Sequence, residues 1–161
     1  MDIRVGQGFD IHRFADAPEE GRVLVLGGVH FPGERTLVGH SDADVIAHAA
    51  ADALLGAAGM GDIGQHYPDT DPKWKGADSL AILSDVASRI RAAGWRVGNI
   101  DCSVVCEAPR IAPHRQEMAD RLSTSAGAPV TVKGRRAEGL GAIGRGEGIM
   151  CLASAIIIKE S

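Results

Sequence analysis

The sequence has no long apolar run, no closely spaced cysteine pair and few aromatic side chains. No run in its 161 residues approaches the ~20 apolar residues that a bilayer-spanning helix needs. The first ten residues also lack the apolar segment of a signal peptide. Because only 4% of residues are aromatic, the core must be aliphatic. These absences predict a cytoplasmic protein that does not enter a membrane.

The three cysteines, Cys102, Cys106 and Cys151, form no C-x-x-C pair. We expect reduced thiols packed in the interior. Positive charge is not in excess either, since 17 Lys and Arg against 21 Asp and Glu give a net charge of −4. This balance argues against a nucleic-acid partner, which requires a basic face. A phosphorylated small molecule is compatible with it, because local arginines and metal ions can hold phosphate.

The order of hydrophobic patterns predicts a single domain over residues 1–161 with mixed secondary structure. Strands are predicted at residues 3–9, in a hairpin over 23–31, and at 98–106, 130–133 and 149–158. Helices are predicted at 44–58, 78–93 and 113–125, with a loop at 61–76. The last strand is apolar on both faces, which predicts burial on both sides. We expect an α/β (α+β) fold, a single sheet with helices packed on one face, whose other face is covered by oligomerisation.

Asp10, His12 and His48 are the first candidates for chemistry. Residues i and i+2 of a strand point to the same side, so Asp10 and His12 can reach one ion. His48, on the first predicted helix, completes three ligands and leaves a fourth position open, as a catalytic zinc requires. From spacing alone, a turn aspartate and a surface histidine are the more common explanation.

The segment before that helix is rich in capping residues. Ser41 or Asp42 can cap the helix. Asp44 lies four residues before His48, where a carboxylate can orient the imidazole. Exposed N–H groups at the start of the helix also favour a phosphate.

Two glycine- or aspartate-rich segments each admit two interpretations. Residues 144–148 can bring backbone and Arg145 close to a diphosphate, or they form a tight turn with an Arg145–Glu147 pair. The acidic groups at 61–64 and 68–72 are typical of turns, and Asp69 and Asp71 are equally suited to bind hydroxyls or a metal-bound phosphate. The sequence contains neither a P-loop nor a Rossmann fingerprint.

Six short strings are more specific in their order than any one of them alone. They are R-V-G-x-G-F-D-I-H, G-H-S-D-A-D-V-x-x-H, G-D-I-G, P-D-T-D-P-x-W-K-G-A-D-S, E-A-P-R-I-x-P-H and G-R-G-E-G-I. This ordered set resembles the 2-C-methyl-D-erythritol 2,4-cyclodiphosphate synthase family from Arg4 to Lys159, nearly the whole chain. The resemblance implies a homotrimer around a central three-fold axis, with active sites between subunits.

The resemblance also implies roles for individual residues. Zinc would be bound by Asp10, His12 and His48, and magnesium or manganese by Glu138. His40 and Arg136 would be catalytic. The implied substrate-binding set comprises Asp10, His12, His40, Ser41, Asp62, Ile63, Gly64, Tyr67, Pro68, Asp69, Thr70, Asp71, Cys106, Ala108, Pro109, Arg110, Ile111, Ala112, Arg135, Arg136, Glu138, Ala142 and Arg145.

Within that set, the resemblance assigns each group of residues to one part of the substrate. His40 and Ser41 would lie near its phosphates, and residues 62–64 and 67–71 would hold the methylerythritol 2-phosphate part. Residues 106–112 would line the cytidine pocket. Glu138 would hold the ion that bridges the diphosphate, and Arg145 would face the phosphates or a cavity on the trimer axis.

The implied reaction is an intramolecular phosphoryl transfer. An oxygen of the 2-phosphate of 4-diphosphocytidyl-2-C-methyl-D-erythritol 2-phosphate attacks the β-phosphorus, and CMP leaves. A phosphate nucleophile is already ionised at neutral pH, so no strong general base is needed. The protein must instead fold the substrate so that its ends meet and neutralise charge on the transferring group.

Two positions depart from the family pattern. Arg135 and Arg136 stand where the family usually has two threonines, the second of which is thought to polarise the diphosphate. An arginine can contact phosphate with more charge and bulk, or it can block the nucleotide or displace the second metal. Ala142 replaces a usual aromatic residue near the axial cavity, which puts ligand binding there in question.

Two other functions are kept as alternatives. A zinc hydrolase with the same three ligands around an activated water predicts cleavage without a cyclic product. A non-catalytic trimer that binds nucleotide or isoprenoid diphosphate predicts binding without turnover. The family also has bifunctional members with a preceding cytidylyltransferase domain. Because Met1 directly precedes the first predicted strand, we expect a monofunctional chain.

Overall fold

The computed structural model describes residues 2–160. Met1, on which the monofunctional expectation rests, and Ser161 lie outside the described residues. In chain order the elements are β1 (Ile3–Arg13), β2 (Leu24–Leu26), β3 (Val29–Phe31), α1 (Val45–Ala58), α2 (Ile63–His66), α3 (Ser79–Ala92), β4 (Trp95–Val105), α4 (Arg115–Ala126), β5 (Val130–Arg135), α5 (Gly141–Gly144) and β6 (Gly148–Lys159). Among the described helices, none combines the length and apolar character needed to cross a membrane.

Four strands form the central sheet in the order β1-β6-β4-β5. β4 and β5 run parallel, and the other two neighbouring pairs are antiparallel. Helix α1 packs on β1 and β6, while α3 packs on β4 and α4 on β5. The predicted mixed α/β fold with a central sheet is therefore confirmed. The β2–β3 hairpin forms a second, two-stranded sheet, so the expectation of a single sheet was too simple.

The observed bounds of the helices and strands agree best with the predicted ones where the sequence has a local capping residue. Helices α1 and α3 start within one residue of their predicted first residues. Strand β1 is longer than predicted, because it continues through the metal-ligand candidates to Arg13. The predicted loop at 61–76 contains α2 and a 3₁₀ turn at Pro72–Trp74. A second 3₁₀ turn at Ala112–His114 precedes α4, so the α-helix itself begins two residues after Pro113.

The core is aliphatic, as the composition predicts. Its largest fully buried side chains are leucines, isoleucines and one methionine. All three cysteines are free and buried, which confirms the expectation of packed thiols. Burial, together with the charge of Glu107, raises the pKa of Cys106 to about 11. That thiol therefore stays protonated and unreactive near neutral pH.

Helix α1 lies unusually close to strand β1. A Cβ atom added at Gly8 would lie 2.0 Å from the Ala49 carbonyl oxygen and 2.6 Å from the Ala53 amide nitrogen. A Cβ at Gly6 would lie 2.0 Å from the Ala53 carbonyl oxygen. Side-chain atoms do not fit in this contact, so glycine on the strand allows the helix backbone to approach it.

The start of α1 is fixed by Asp44, which is fully buried. One carboxylate oxygen of Asp44 accepts hydrogen bonds from the amides of Ile46 and Ala47 at 3.1 and 3.2 Å. The carboxylate also accepts from Gly27 at 2.8 Å and Gly28 at 2.7 Å, the turn of the hairpin. Asp44 therefore caps α1 and ties it to β2–β3. The prediction that Ser41 or Asp42 caps this helix was wrong.

The face of the sheet opposite the helices is open in a single chain. The large apolar side chains of β1 that point there are exposed, with Val5 70% exposed. Residues on the same face of β6, such as Met150 and Leu152, are half-buried, while the alternate residues of β6 are buried. Burial of β6 on both sides is therefore wrong for one subunit, because the helices cover one face only. The uncovered apolar face is consistent with association of several copies.

The contact between α1 and β1 gives a prediction for stability. Gly8→Ala should lower the free energy of unfolding by about 3 kcal/mol or more, because its methyl group would overlap helix backbone. The matched control is Gly56→Ala in α1, where a Cβ would meet nothing closer than the Gln7 carbonyl oxygen at 3.6 Å. Gly56→Ala should raise stability by about 1 kcal/mol, through helix propensity. Denaturant unfolding at one protein concentration checks both, and equal effects of the two substitutions would contradict the close contact.

Candidate active site

Asp10, His12 and His48 come together between β1 and α1. Asp10 and His12 lie on the helix-facing side of β1, and His48 lies in the first turn of α1. The Oδ2 atom of Asp10 is 3.0 Å from His12 Nε2 and 3.0 Å from His48 Nδ1. Their donor atoms all lie within 4.8 Å of one another, which makes them the one such group of three metal-binding side chains within residues 2–160.

The His12 ring presents a free lone pair to this group. Its Nδ1 is 2.7 Å from the Val38 carbonyl oxygen, which can only accept, so Nδ1 carries the hydrogen. In the neutral ring His12 Nε2 is then unprotonated, and it is buried with Asp10 as its close neighbour and no hydrogen-bond donor. A buried nitrogen of this kind, fixed by a backbone carbonyl on its other side, is the usual arrangement of a metal-binding histidine.

The charges of the group also favour a cation. Burial opposes ionisation of Asp10, but its close interactions with His12 and His48 outweigh burial, and the pKa of the carboxyl lies well below its usual range. Burial likewise opposes the charged form of His12, but the Asp10 carboxylate raises the pKa of the ring. Two imidazoles and a carboxylate fit a divalent metal of the zinc type. The predicted metal-binding group is therefore present.

His48 is oriented by hydroxyl groups and not by Asp44. Its Nε2 is 2.8 Å from Ser79 Oγ and 3.1 Å from Ser41 Oγ. The prediction that Asp44 orients the imidazole was wrong, because that carboxylate turns back to cap α1. The same cap occupies the amides of Ile46 and Ala47, so the expected phosphate site at the helix start has no free donors at those two positions.

His40 and Ser41, both predicted to contact substrate, lie beside the metal-binding group. Ser41 is buried and close to His48, as described above, and its Oγ accepts from the Ala43 amide at 3.2 Å. His40 Nε2 donates to the Asp71 carbonyl oxygen at 2.9 Å. This bond links the segment before α1 to the predicted substrate loop.

That loop is folded against α2 and α3. Asp62 caps α2 by accepting from the Gln65 amide at 2.9 Å, so the predicted substrate residues Ile63 and Gly64 form its first turn. Asp71 caps the 3₁₀ turn through the Lys73 amide. The turn interpretation of these acidic groups is thus confirmed for Asp62 and Asp71, which leaves their second carboxylate oxygens for a ligand.

Tyr67 anchors the middle of the loop. Its hydroxyl donates to Asp85, which also accepts from Arg89 Nε at 2.8 Å. The Tyr67 ring packs edge-on against Trp74 with centroids 4.9 Å apart. Pro68 is half-buried next to this anchor, while the other two members of the predicted set, Asp69 and Thr70, are exposed.

A separate pocket of about 570 Å³ opens at the ends of β4 and β5. It is lined by Cys106, Glu107, Pro109, Arg110, Ile111, Ala112, Arg115, Lys133, Gly134, Arg135 and Arg136. Five of the six residues predicted at 106–112 for the cytidine part belong to this lining; the sixth, Ala108, does not. The structure therefore brings Arg135 and Arg136 together with that segment.

The pocket is strongly basic. Five of its lining residues are Arg or Lys, and Glu107 is its one acidic residue. Glu107 Oε2 accepts from Arg136 Nη2 at 2.8 Å and Nε at 3.1 Å, and Glu107 Oε1 accepts from the Ala137 amide at 2.8 Å. The bonds from Arg136 lower the pKa of Glu107 below its usual value. A basic pocket in an acidic chain indicates a ligand with several negative charges.

Glu138 lies beside this pocket and is exposed. Its backbone has a left-handed φ of +54°, which is uncommon for a residue other than glycine. The pKa of Arg136 is raised chiefly by Glu107 and also by the charge of Glu138, so the two acidic groups flank one guanidinium. A single carboxylate binds magnesium only together with substrate oxygens, and the predicted second ion therefore stays a prediction.

Ala142 lies in α5, and Arg145 lies in the turn between α5 and β6. Arg145 Nε donates to Glu147 at 2.6 Å, so the tight-turn interpretation of residues 144–148 is confirmed. Both Arg145 and Ala142 are exposed, and neither contributes to the pocket or the metal-binding group. In a single chain these two predicted substrate residues therefore lie apart from the other predicted substrate residues.

The metal-binding group and the pocket lie at the same end of the sheet. Asp10 pairs with Cys151 of β6, which pairs in turn with Val104 of β4, two residues before the pocket begins at Cys106. Since β6 lies between β1 and β4, the two strands are about 10 Å apart. The pocket includes no metal ligand. The metal-binding group and the pocket are therefore separate features of one chain.

Sequence reasoning missed several partners of the site residues. At the start of the helix predicted at residues 78–93, the sequence indicates no more than a capping role for Ser79, and it indicates no separate role for Glu107 or Asp85. Ser79 is 31 residues from His48, and Glu107 is 29 residues from Arg136. No local pattern connects residues this far apart, so only the fold reveals these pairs.

Comparisons with known proteins agree with this geometry. The model of the YgbB family matches residues 3–158. The 2-C-methyl-D-erythritol 2,4-cyclodiphosphate synthase of Burkholderia thailandensis is 48% identical over all of this chain and 99% of its own length. The bifunctional enzyme IspD/IspF of Anaeromyxobacter sp. (strain Fw109-5) is 52% identical over 98% of this chain, which spans only 40% of that protein.

Solved structures give the same result. The bifunctional IspDF of Campylobacter jejuni superposes with a TM-score of 0.91 at 39% identity, over 98% of this chain and 42% of that one. The CDP complex of IspF from Plasmodium falciparum superposes with a TM-score of 0.83 at 33% identity, over 99% of this chain and 97% of that one. With its fold, its metal-binding group and its ordered motifs in agreement, the chain belongs to the YgbB family of 2-C-methyl-D-erythritol 2,4-cyclodiphosphate synthases.

Proposed function

We propose that this chain converts 4-diphosphocytidyl-2-C-methyl-D-erythritol 2-phosphate to 2-C-methyl-D-erythritol 2,4-cyclodiphosphate and CMP, in the non-mevalonate pathway of isoprenoid precursor synthesis. The observation that carries the proposal is the pairing of a divalent-metal group with a basic pocket at one end of the sheet. The related Plasmodium protein whose structure is a CDP complex supports a cytidine nucleotide as the ligand. A cytoplasmic location remains part of this proposal.

The reaction forms one phosphorus–oxygen bond and breaks another. An oxygen of the 2-phosphate bonds to the β-phosphorus, and the bond from that phosphorus to the bridging oxygen breaks, so the electron pair leaves with CMP. The nucleophile is already anionic, which explains why the metal-binding group and the pocket offer donors and cations and no serine or cysteine nucleophile. The protein's contribution is to hold the reacting ends together and to balance their charge.

Zinc on Asp10, His12 and His48 would supply Lewis-acid stabilisation of a phosphate oxygen. Ser41, close to His48, is placed to donate its hydroxyl to the same phosphate. His40 fixes the loop through Asp71, and its other ring nitrogen is left for the substrate. Residues 62–64 and 67–71 would close over the methylerythritol part, with exposed Asp69 and Thr70 as candidates for its hydroxyls.

The basic pocket would hold the cytidine diphosphate part. Residues 106–112 would supply its wall, with exposed Ala108 at its edge in the chain, and Arg135 and Arg136 would face the diphosphate. Glu107 fixes one edge of the Arg136 guanidinium, and the remaining N–H groups of Arg136 are available to phosphate oxygens. In this position Arg136 takes the role that the resemblance gives to a threonine. Glu138, with phosphate oxygens, would hold magnesium or manganese.

A homotrimer would unite the metal-binding group and the pocket. The open face of the sheet carries exposed apolar side chains that a single chain leaves in water, Ile3, Val5, Phe9 and Ile11. Packing three such faces around an axis would bury them and bring the pocket of one subunit to the metal group of the next. Arg145 and Ala142 would then lie near the axis.

The experiment that tests the proposed reaction is phosphorus NMR of the purified protein with the cytidyl substrate, zinc and magnesium. We expect a cyclic diphosphate and CMP in equal amounts. Cleavage without a cyclic product would instead support the zinc hydrolase. Unchanged substrate, with zinc confirmed in the protein, would support the binding-only alternative and identify Arg135 and Arg136 as the cause.

The metal-binding group predicts the zinc content of variants. His48→Ala should lose most bound zinc, because two ligands hold the ion far less tightly than three. His30→Ala is the matched control, since His30 is exposed on β3 and belongs to no group of metal ligands among the described residues. Elemental analysis after dialysis against zinc-free buffer measures both. Full zinc content in His48→Ala would exclude this site.

The open face predicts a change in oligomeric state. Val5→Glu should dissociate the assembly, because it places a charge in the centre of the proposed subunit contact. Ala81→Glu on the exposed side of α3 is the control and should leave the assembly intact. Analytical ultracentrifugation distinguishes the species. A trimer that survives Val5→Glu, or an unmodified protein that is monomeric, would contradict the proposed arrangement.

A further inference from the structure

A hydrogen-bonded chain runs away from the metal-binding group on the side opposite to Asp10. His48 Nε2 is 2.8 Å from the hydroxyl of Ser79, and this hydroxyl donates to Oδ1 of Asp42. Ser79 is completely buried and is the first residue of α3. The chain therefore joins His48 in α1 to the start of α3 through the segment before α1.

The direction of these hydrogen bonds follows from the chemistry of the groups. Both carboxylate oxygens of Asp42 already act as acceptors, Oδ1 from the Asp44 amide at 3.1 Å and Oδ2 from the Ser79 amide at 3.0 Å. The hydroxyl of Ser79 has one hydrogen, and it points at Asp42. Towards His48 the Ser79 oxygen can therefore only accept, so His48 Nε2 must carry a hydrogen.

A neutral imidazole with its hydrogen on Nε2 has a lone pair on Nδ1. His48 Nδ1 is the atom that faces Asp10 at 3.0 Å, within the metal-binding group. We infer that Ser79 and Asp42 are positioning residues, which hold the His48 ring in the tautomer and orientation that present Nδ1 to a metal. This inference rests on the zinc site of the proposed function and adds two residues to which no role there has been given.

Helix capping does not account for Ser79. The cap of α3 is Asp78, whose side chain accepts from the Leu80 amide at 2.9 Å. The Ser79 hydroxyl is thus not needed for the helix end, and a buried hydroxyl is retained only where it has partners. One partner of this hydroxyl is His48 of the metal-binding group, and the other is the Asp42 carboxylate, which accepts its hydrogen.

Ser79 also leaves Ser41 free to act on the substrate. Ser41 Oγ is a second, longer neighbour of His48 Nε2 at 3.1 Å. Because Ser79 satisfies Nε2 alone, the Ser41 hydroxyl can turn to a phosphate without releasing the ring. The two serines therefore have different tasks, one within the protein and one towards the ligand.

The test compares zinc affinities, measured by competition with a chromophoric chelator. Ser79→Ala should bind zinc about 10- to 100-fold more weakly, the usual effect of removing a partner of a metal ligand. Ser88→Ala, which removes an exposed hydroxyl from the same helix, should bind as the unmodified protein does. Ser79→Thr keeps the hydroxyl and should restore most of the affinity. Equal affinity in Ser79→Ala and Ser88→Ala would overturn the inference.

A spectroscopic readout separates positioning from general loss of structure. In nitrogen-15 NMR of the zinc-loaded protein, the Nε2 hydrogen of His48 should exchange slowly with water, and in Ser79→Ala this protection should be lost. If Ser79→Ala does not fold, Asp42→Asn is used instead. Without the Asp42 carboxylate, the Ser79 hydroxyl is no longer held with its hydrogen towards residue 42 and can donate to His48 Nε2. Asp42→Asn with unchanged zinc affinity and protection would overturn the inference.

The unmodified protein provides the check on the proposed function. Failure of the unmodified protein to bind zinc would overturn the proposed metal site, and the inference with it. Zinc binding by the unmodified protein with an unaffected Ser79→Ala variant would overturn the inference alone. The two failures are therefore distinguishable in one series of titrations.

Discussion

The contact between α1 and β1 is the constraint on which the metal-binding group depends. Gly6 and Gly8 remove the side chains that would separate strand from helix, so backbone touches backbone. Asp10 is the next residue after Gly8 on the same face of β1, and His48 precedes the Ala49 that Gly8 touches. Donor atoms from two elements thus come within 4.8 Å because the elements themselves are close. Any side chain at these glycines would raise α1 and take His48 away from Asp10.

Hydrogen bonds on two sides fix the segment between β3 and α1. Four amide hydrogen bonds, two of them from the hairpin turn, hold the buried carboxyl group of Asp44 in place. Arg22 donates to the carbonyl oxygens of Leu37, Gly39 and Ser41, so this stretch is fixed from its outer side as well. A metal-binding histidine one turn beyond such a cap has little freedom, which suits a site that must be preorganised for charge.

Capping residues, turn glycines and strand periodicity correctly predicted the features that depend on neighbouring residues in the chain. The aspartate-rich starts of α1 and α3 and the Gly27-Gly28 turn gave correct elements, and the period of a strand brought Asp10 and His12 to one side. The same rules failed where a residue serves a distant partner. No local pattern explains why Gly6 and Gly8 lie in a strand, because the helix that requires them lies about forty residues further along the chain. Asp44 was assigned to the wrong partner, since an i, i+4 rule does not describe a residue at the cap.

The distribution of charge links assembly to chemistry. The chain has a net charge of −4, yet five of the six charged residues around its pocket are basic. The metal-binding group is the second place where positive charge would gather, and β6 separates the two within one chain. A substrate with a diphosphate at one end and a phosphate at the other needs both at once. In the proposed trimer, the association that buries the open face of the sheet would also bring the pocket of one subunit to the metal-binding group of the next. Assembly and charge balance would then be achieved together.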